Sequence, residues 1–544
     1  MKNKWIWILS CVIGGLLLLL CGLLVPAHLR AVDTGIIQRA GRNTQSLTQQ
    51  GKQLVSRQNL GSAWLFMETA LAEKIPGRES FGVAVSNALA EYPAAFAWGN
   101  DATLQELFKD DSPEAPAFTS IIIKHKNRQA ALELMRDSPN RAVQELLRCR
   151  NLTNTVLFPP SASSSGQALD AALAMGGLLV AEGRLTTGLS DHLAQQAAAA
   201  NRGESTQPLE QALMDLLILG QQFNWDQLAT FVGRIEDAGT LHTLSEQAKV
   251  GGRQIPVLFS AVVFSGKPAA VARYITDFNQ TAMSDLGTGV RAGLGGINEL
   301  LRRNQILYRD GHRLARAWDW SWRWPWVAIS SKWLAYLLSG FFLAAGLYRL
   351  RPPATSLERP LQVRGFHLVH ESLFALGFLL VVLLLSEPFL AQDTRKEQFA
   401  FRLHVPTTGQ AVPAAFPRIH PNVMNNMVLL TLLLFFVLQG LIYISCLVKL
   451  AEIRRQNVPA RMKLRLLDNE DHLFDAGLYL GFVGTIISLI FVSLGVIKFS
   501  LMAAYSSTSF GIVFVCLFKI FNLRPTRRRL LLEAETMEIT KSKR

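Results

Sequence analysis

Met427-Val-Leu-Leu-Thr-Leu-Leu-Leu-Phe-Phe-Val-Leu-Gln-Gly-Leu-Ile-Tyr-Ile-Ser-Cys-Leu-Val448 decides the fold class. The stretch carries no charge. A helix of about 20 apolar residues, rising ~1.5 Å each, crosses the hydrocarbon core of a bilayer. Working outward, five more blocks share its character: Trp5 to Val25, Trp326 to Tyr348, Ser372 to Leu390, Ala476 to Ile497 and Leu501 to Phe521. The chain has 544 residues, 49% hydrophobic and 18% charged, with a mean hydropathy of +0.21. Disorder needs the opposite balance, and apolar residues in blocks exclude a wholly soluble protein. Five cysteines are too few for a disulfide scaffold. The expected fold is an all-α polytopic membrane protein with six transmembrane helices. A large, mainly helical extracytoplasmic domain lies between helices 1 and 2.

The first block reads as an uncleaved anchor (residues 1–25), with a cleaved signal peptide as the alternative. Val25-Pro26-Ala27 is a poor small-x-small cleavage site, and Leu20 before Cys21 does not suit lipid attachment. Lys and Arg favour the cytoplasmic side. They cluster at Lys2 and Lys4, at Arg349 to Arg364, at Lys449 to Arg465 and at Arg524 to Arg544. These clusters alternate as one side of a six-span chain requires. Both termini are therefore expected in the cytoplasm. Residues 26–325 and the loop 391–426 fall outside, the spans at 326–390 and 427–523 between, and 524–544 forms a basic cytoplasmic tail.

The net charge of +14 suggests a nucleic-acid partner until it is mapped. Residues 26–323 hold 29 Lys and Arg against 28 Asp and Glu, leaving the excess in the membrane part and its flanks. It is a topology signal, and no nucleic acid is expected. The external domain shows helical spacing at Ser62–Ala72, Gln129–Arg136, Arg141–Arg150, Ala168–Glu182, Gln207–Leu219 and Gly289–Gln305. Asn140 is a predicted N-cap, Phe118–Ile123 is the best strand signal, and the Ser-rich run after Pro160 suggests a sub-boundary near 160. Short helices and tight turns suggest a helical-hairpin stack. Gly287, Gly289, Gly293, Gly295 and Gly296 lack a phosphate-loop context and read as a flexible helix entry. Cys149 reads as a buried small hydrophobe. His125, His192, His242 and His312 show no metal-ligand spacing, so no metal, cofactor or catalytic set is expected, and no enzyme. Trp318, Trp320, Trp322, Trp324 and Trp326 read as an interface belt; an extended ligand platform with all five rings on one face is the alternative.

Several ionisable residues sit at span edges: Glu371, Asp475, Lys498, Lys332 and Glu387. Edge charges are usually inert. Glu387, followed by Pro388, is the candidate functional acid. The outer loop, with Pro406, Pro413, Pro417 and Pro421, is too proline-rich for a helix; His404 and His420 are a weak metal pair.

In the last two blocks, Gly477, Gly481 and Gly484 share a helical face and, with Gly511, suit close helix packing. Val483-Gly484-Thr485, Thr508-Ser509-Phe510-Gly511 and Phe521-Asn522 together resemble motifs of the MotA/TolQ/ExbB proton-channel family over residues 424–523. The resemblance implies that Thr485 and Thr508 line a channel in a homo-oligomer, beside an acid from a single-span partner with a membrane Asp. It also implies a bacterial inner (plasma) membrane location. The external domain would bind a protein or cell-wall partner, making the chain a stator-like subunit of an ion-driven envelope complex. The sequence departs from the family in its short segment 449–475, in lacking a Pro before the Gly-Thr element, and in Lys519, expected to snorkel. A non-conducting scaffold is the alternative.

Overall fold

The computed structural model describes residues 2–109, 117–152, 154–158, 166–279, 281–309, 315–350, 366–387, 426–493 and 501–542. The chain is mostly helical and forms two compact units, a central one (Val32–Gly311) and a terminal one (Met1–Ala31 with His312–Arg544). Lys498 and the loop 391–425 lie outside the described residues.

The central unit is a stack of short helices. The expected segments form helices, and Asn140 caps its helix by accepting from the Ala142 amide at 2.9 Å. Phe66, Phe118, Phe223, Trp225, Phe231 and Phe259 are buried and meet edge-on or tilted, with Phe231 stacked on Phe259. The strand expectation at Phe118–Ile123 is corrected, because Phe118–Ile122 is helical. Its β-branched run favours a strand, but tertiary hydrogen bonds override that preference. The Phe118 amide donates to the Phe223 carbonyl at 2.8 Å. Asn127 and Arg128 donate to the carbonyls of Ile121 and Ile123 at 3.1 and 2.8 Å. Residues 159–165 lie outside the described ones, and helices on both sides belong to the same unit.

Two three-residue strands, β1 (Ala31–Asp33) and β2 (Ile306–Tyr308), pair. Nearby, the helix expected over Gly289–Gln305 breaks at Gly293, whose φ is +104°, into Ala282–Ala292 and Leu294–Arg303. The break lets the Leu294 amide donate to the Gln45 carbonyl and the Gly295 amide to Thr44 Oγ1, both at 2.9 Å. A Cβ on Gly41 would lie 1.9 Å from the Ala292 carbonyl oxygen, and one on Gly295 would lie 2.3 Å from that of Ala40. The flexible-entry reading is corrected: these glycines form a tight seam between the first and last helices of the unit.

In the terminal unit the helices are α1 (Lys2–Leu24), α2 (Ala315–Arg323), α3 (Pro325–Leu350), α4 (Phe366–Ser386), α5 (Asn426–Arg455), α6 (Ala460–Asn469), α7 (Asp471–Phe474), α8 (Ala476–Ser493), α9 (Leu501–Phe518) and α10 (Arg524–Ser542). Four described helical segments are long and apolar enough to cross a membrane: Trp5–Leu24, Pro325–Tyr348, Leu432–Arg455 and Tyr505–Thr536. The expected third and fifth spans overlap the shorter apolar segments Glu371–Leu383 and Ala476–Ile486. Small residues set the packing. Ser339 Oγ donates to the Gly15 carbonyl at 2.8 Å, the Tyr336 ring covers Gly22, and Gly340 faces Ala375.

Trp318, Trp320 and Trp322 lie on α2. Residues two apart on a helix point roughly 200° apart, so the extended one-face platform is excluded. Trp320, Trp324 and Trp326 are exposed, Trp326 at 80%. The expected basic tail is also more structured than a tail. A π turn, Lys519–Leu523, joins α9 to α10. Leu523 and Leu530 pack with Cys446, Leu450 and Ile453 of α5 and Leu467 of α6 in a small apolar core.

Candidate functional site

Gly477, Gly481, Gly484 and Gly511 are where α8 meets its neighbours. A Cβ on Gly481 would lie 2.8 Å from the Ser507 carbonyl oxygen, one on Gly511 2.7 Å from that of Gly477, and one on Gly484 2.5 Å from Ser507 Oγ. Bare backbones at this range expose carbonyls to facing side chains. Thr485 Oγ1 and Thr508 Oγ1, on different helices, lie 2.6 Å apart. Both also reach the Gly481 carbonyl, at 3.1 and 3.2 Å, and Ser507 Oγ donates to it at 3.0 Å.

That carbonyl has two lone pairs and each hydroxyl one proton. Within α8 the carbonyl also takes the helix bond from the Thr485 amide, so three hydroxyls share one remaining lone pair. The two threonine hydroxyls that bond each other across α8 and α9 form a polar patch in an otherwise apolar contact. Hydroxyls of this kind bond a carboxyl or a water.

On α5, Gln439 is 1% exposed, and its Nε2 donates to the Gly477 carbonyl at 2.9 Å. At the end where α8 begins and α9 finishes, Asn522 donates to the Tyr443 hydroxyl at 3.2 Å. There too Lys519 Nζ meets Asp475 at 2.7 Å. Lys519, expected to snorkel, thus has a counter-charge 44 residues away in sequence.

Glu387 proves far from an inert edge residue. Its side chain and that of Lys332 are each 2% exposed, and Lys332 Nζ sits 2.7 Å from Glu387 Oε1. Lys332 also donates to the Ala27 carbonyl, and Glu387 Oε2 accepts from the Leu29 amide, both at 2.8 Å. Ser321 of α2 donates to the Pro26 carbonyl at 3.1 Å, and His28 Nδ1 lies 3.7 Å from Glu387. Residues 26–29, which leave α1, are clamped by α2, α3 and the end of α4.

The central unit holds a second cluster that the sequence hid. His242 Nδ1 lies 3.1 Å from buried Asp215, which accepts from Ser245 at 2.6 Å. Ligand atoms of Asp215, His242 and Glu246 all fall within 4.8 Å of one another. The expectation that His242 lacks metal-ligand neighbours is corrected, since one member comes from a helix 27 residues away. A hydrogen bond between the imidazole and the carboxylate, backed by the Ser245 hydroxyl, accounts for the arrangement. Asp226 is buried beside Gly99 and accepts from the Ser62 amide at 2.7 Å. Burial pushes its carboxyl up to about 7, against the opposing pull of that amide and of Arg184. Glu210 is also buried. Burial raises its carboxyl, but Thr206 Oγ1 and the amides of Val156, Leu157 and Phe158 outweigh this and hold it below the usual range. Cys149 is buried as expected, its thiol pushed up to about 12 by burial first and by Glu145 second.

Sequence reading missed the roles of Gln439 and Ser507, and the pairing of Lys332 with Glu387. A lone amide within the uncharged block 427–448 was the available signal for Gln439. Lys332 was visible but lacked a partner until folding supplied one. Compared with family models, curated proteins and solved structures, the chain matches none.

Proposed function

We propose that the chain is a stator-like subunit of an ion-driven complex in a bacterial inner membrane. In this reading six helices span the bilayer: α1, α3, α4, α5, α8 and α9. Both termini face the cytoplasm, and the tryptophans from Trp318 to Trp326 mark the outer interface. The nearly neutral central unit binds a protein or cell-wall partner outside. The observation that carries the reading is the pair Thr485–Thr508, 2.6 Å apart across α8 and α9 over one glycine carbonyl. A hydroxyl pair in an apolar helix contact is what a carboxyl from a partner's membrane Asp would meet in a homo-oligomeric channel. Among the described residues, α8 and α9 carry no acid of their own, so that acid comes from another chain.

The test is proton flux in vesicles holding the complex purified with its partner. Thr485→Val and Thr508→Val keep side-chain volume and remove the hydroxyl. Flux should fall at least about tenfold, the equivalent of one lost hydrogen bond, with the assembly unchanged on size-exclusion chromatography. Full flux in both variants overturns the channel. The second reading, a non-conducting scaffold, is favoured by the fixed ion pairs at both ends of the bundle, Lys332–Glu387 and Lys519–Asp475. It predicts no flux in the wild type and unchanged partner capture in both variants.

A further inference from the structure

Between the threonine pair and the Asp475–Lys519 end, α5, α8 and α9 leave a small cavity bounded by Gln439, Tyr443, Cys446, Gly477, Phe514 and Phe518. Gln439 is held there by glycines. A Cβ on Gly477 would come within 2.9 Å of its Oε1, and one on Gly511 within 3.3 Å of its Nε2. Its Nε2 is spent on the Gly477 carbonyl, yet Oε1 is buried without a protein donor among the described residues. A buried amide oxygen left so costs about 1–3 kcal/mol, and every apolar wall here is unable to relieve it. Tyr443, one helical turn further along α5, accepts from Asn522 and keeps its phenolic proton to give. Residues four apart on a helix share a face, and no direct bond joins Gln439 Oε1 to the Tyr443 hydroxyl among the described residues. A water needs two to four polar partners; Gln439 Oε1 and the Tyr443 hydroxyl supply two, one to accept its proton and one to donate to it.

We propose that this cavity binds an ordered water, positioned by Gln439 and Tyr443, which extends a polar file from the threonine pair toward the Asp475–Lys519 end. The file runs Thr485 and Thr508, the Gly481 carbonyl, Gln439 with the Gly477 carbonyl, the water, Tyr443 with Asn522, and then Asp475 with Lys519. All of it lies within one chain. The competing explanation is a strut, in which Gln439 only ties α5 to α8. Placing the file on an ion route rests on the stator reading; the water site does not.

Gln439→Leu, close in volume, removes the amide, and Tyr443→Phe removes the hydroxyl. Millisecond hydroxyl-radical footprinting of the full complex in detergent reads ordered buried water as oxidation of adjacent side chains. Phe518 lines the cavity and is 1% exposed, whereas Phe259 is buried in the central unit; we expect Phe518 in the wild type to be labelled several-fold faster than Phe259, and to fall to the Phe259 rate in both variants. Equal Phe518 labelling in wild type and Gln439→Leu overturns the water site and leaves the strut. Flux then decides the route. A fall of about tenfold in Gln439→Leu, with thermal stability unchanged, supports it. Loss of flux in Thr485→Val but not in Gln439→Leu overturns the placement on the route. Absence of flux in the wild type sinks the stator reading instead, and the labelling still decides the water.

Discussion

Replacing Glu387 with leucine would strand Lys332 in an apolar bundle. At 2.7 Å, an effective dielectric constant of about 20 gives an attraction of roughly 6 kcal/mol. Desolvation of both groups offsets much of that, so exchanging the pair for apolar residues should be near neutral. Removing one partner is different, because the other charge stays buried. Glu387→Leu or Lys332→Met alone should cost about 3–5 kcal/mol. Either single change also strips one bond from residues 26–29. The double variant should recover most of the loss, a coupling of roughly 3 kcal/mol or more. Denaturant unfolding in detergent micelles, followed by tryptophan fluorescence, measures all four corners of the cycle. Costs that add to within about 0.5 kcal/mol would mean the two side chains are independent, and the clamp would be refuted.

Asp226 gives a pH prediction. Its folded value of about 7 stands above an unfolded value near 3.9, so the native state binds the extra proton between them. Its contribution is full at low pH and is lost as pH rises toward and past 7, about 4 kcal/mol in all. Asp226→Asn should remove that slope, and identical pH profiles of unfolding in the two proteins would be the failing result. Glu210 runs the opposite way, its depressed value adding stability above the unfolded pKa that is lost as pH falls through the folded one. Glu210→Gln should cost about 1–3 kcal/mol at neutral pH and progressively less in acid; a cost independent of pH would contradict the hydrogen-bond account. Gly511→Leu should abolish monodisperse protein, whereas Gly377→Ala and Gly440→Ala, with open space around their Cβ positions, should elute as the wild type does. Equal behaviour of all three would show that α8 and α9 are not in backbone contact.

What was legible in the chain followed from local rules. Apolar block length marks the membrane helices, and the i, i+4 and i+7 positions of Gly477, Gly481 and Gly484 mark a packing face, because both depend on neighbours in sequence. Asn140 was readable as a cap for the same reason. Lys332, Glu387, Asp475 and Lys519 were each readable as edge charges but not as pairs, since pairing joins residues 55 and 44 apart in sequence. Phe118–Ile122 misled because its β-branched run states a preference that Asn127 and Arg128 overrule from outside the segment. Gly293 was visible as a glycine, but its left-handed backbone is set by Thr44 and Gln45, some 250 residues earlier.

The π turn at Lys519–Leu523 has a geometric consequence. It makes α9 and α10 one unbroken rod from Leu501 to Ser542, of the order of 60 Å at ~1.5 Å per residue. A widened turn holds one residue more than its α-helical equivalent, and one residue corresponds to about 100° of azimuth. Phe514 and Phe518 face Tyr443, while beyond the turn it is Leu530 that faces the α6 side. The turn therefore sets the phase between the two halves of a single shaft. Deleting one residue from it would leave helix content intact and turn the basic half by about 100° relative to α9, out of mesh with α6.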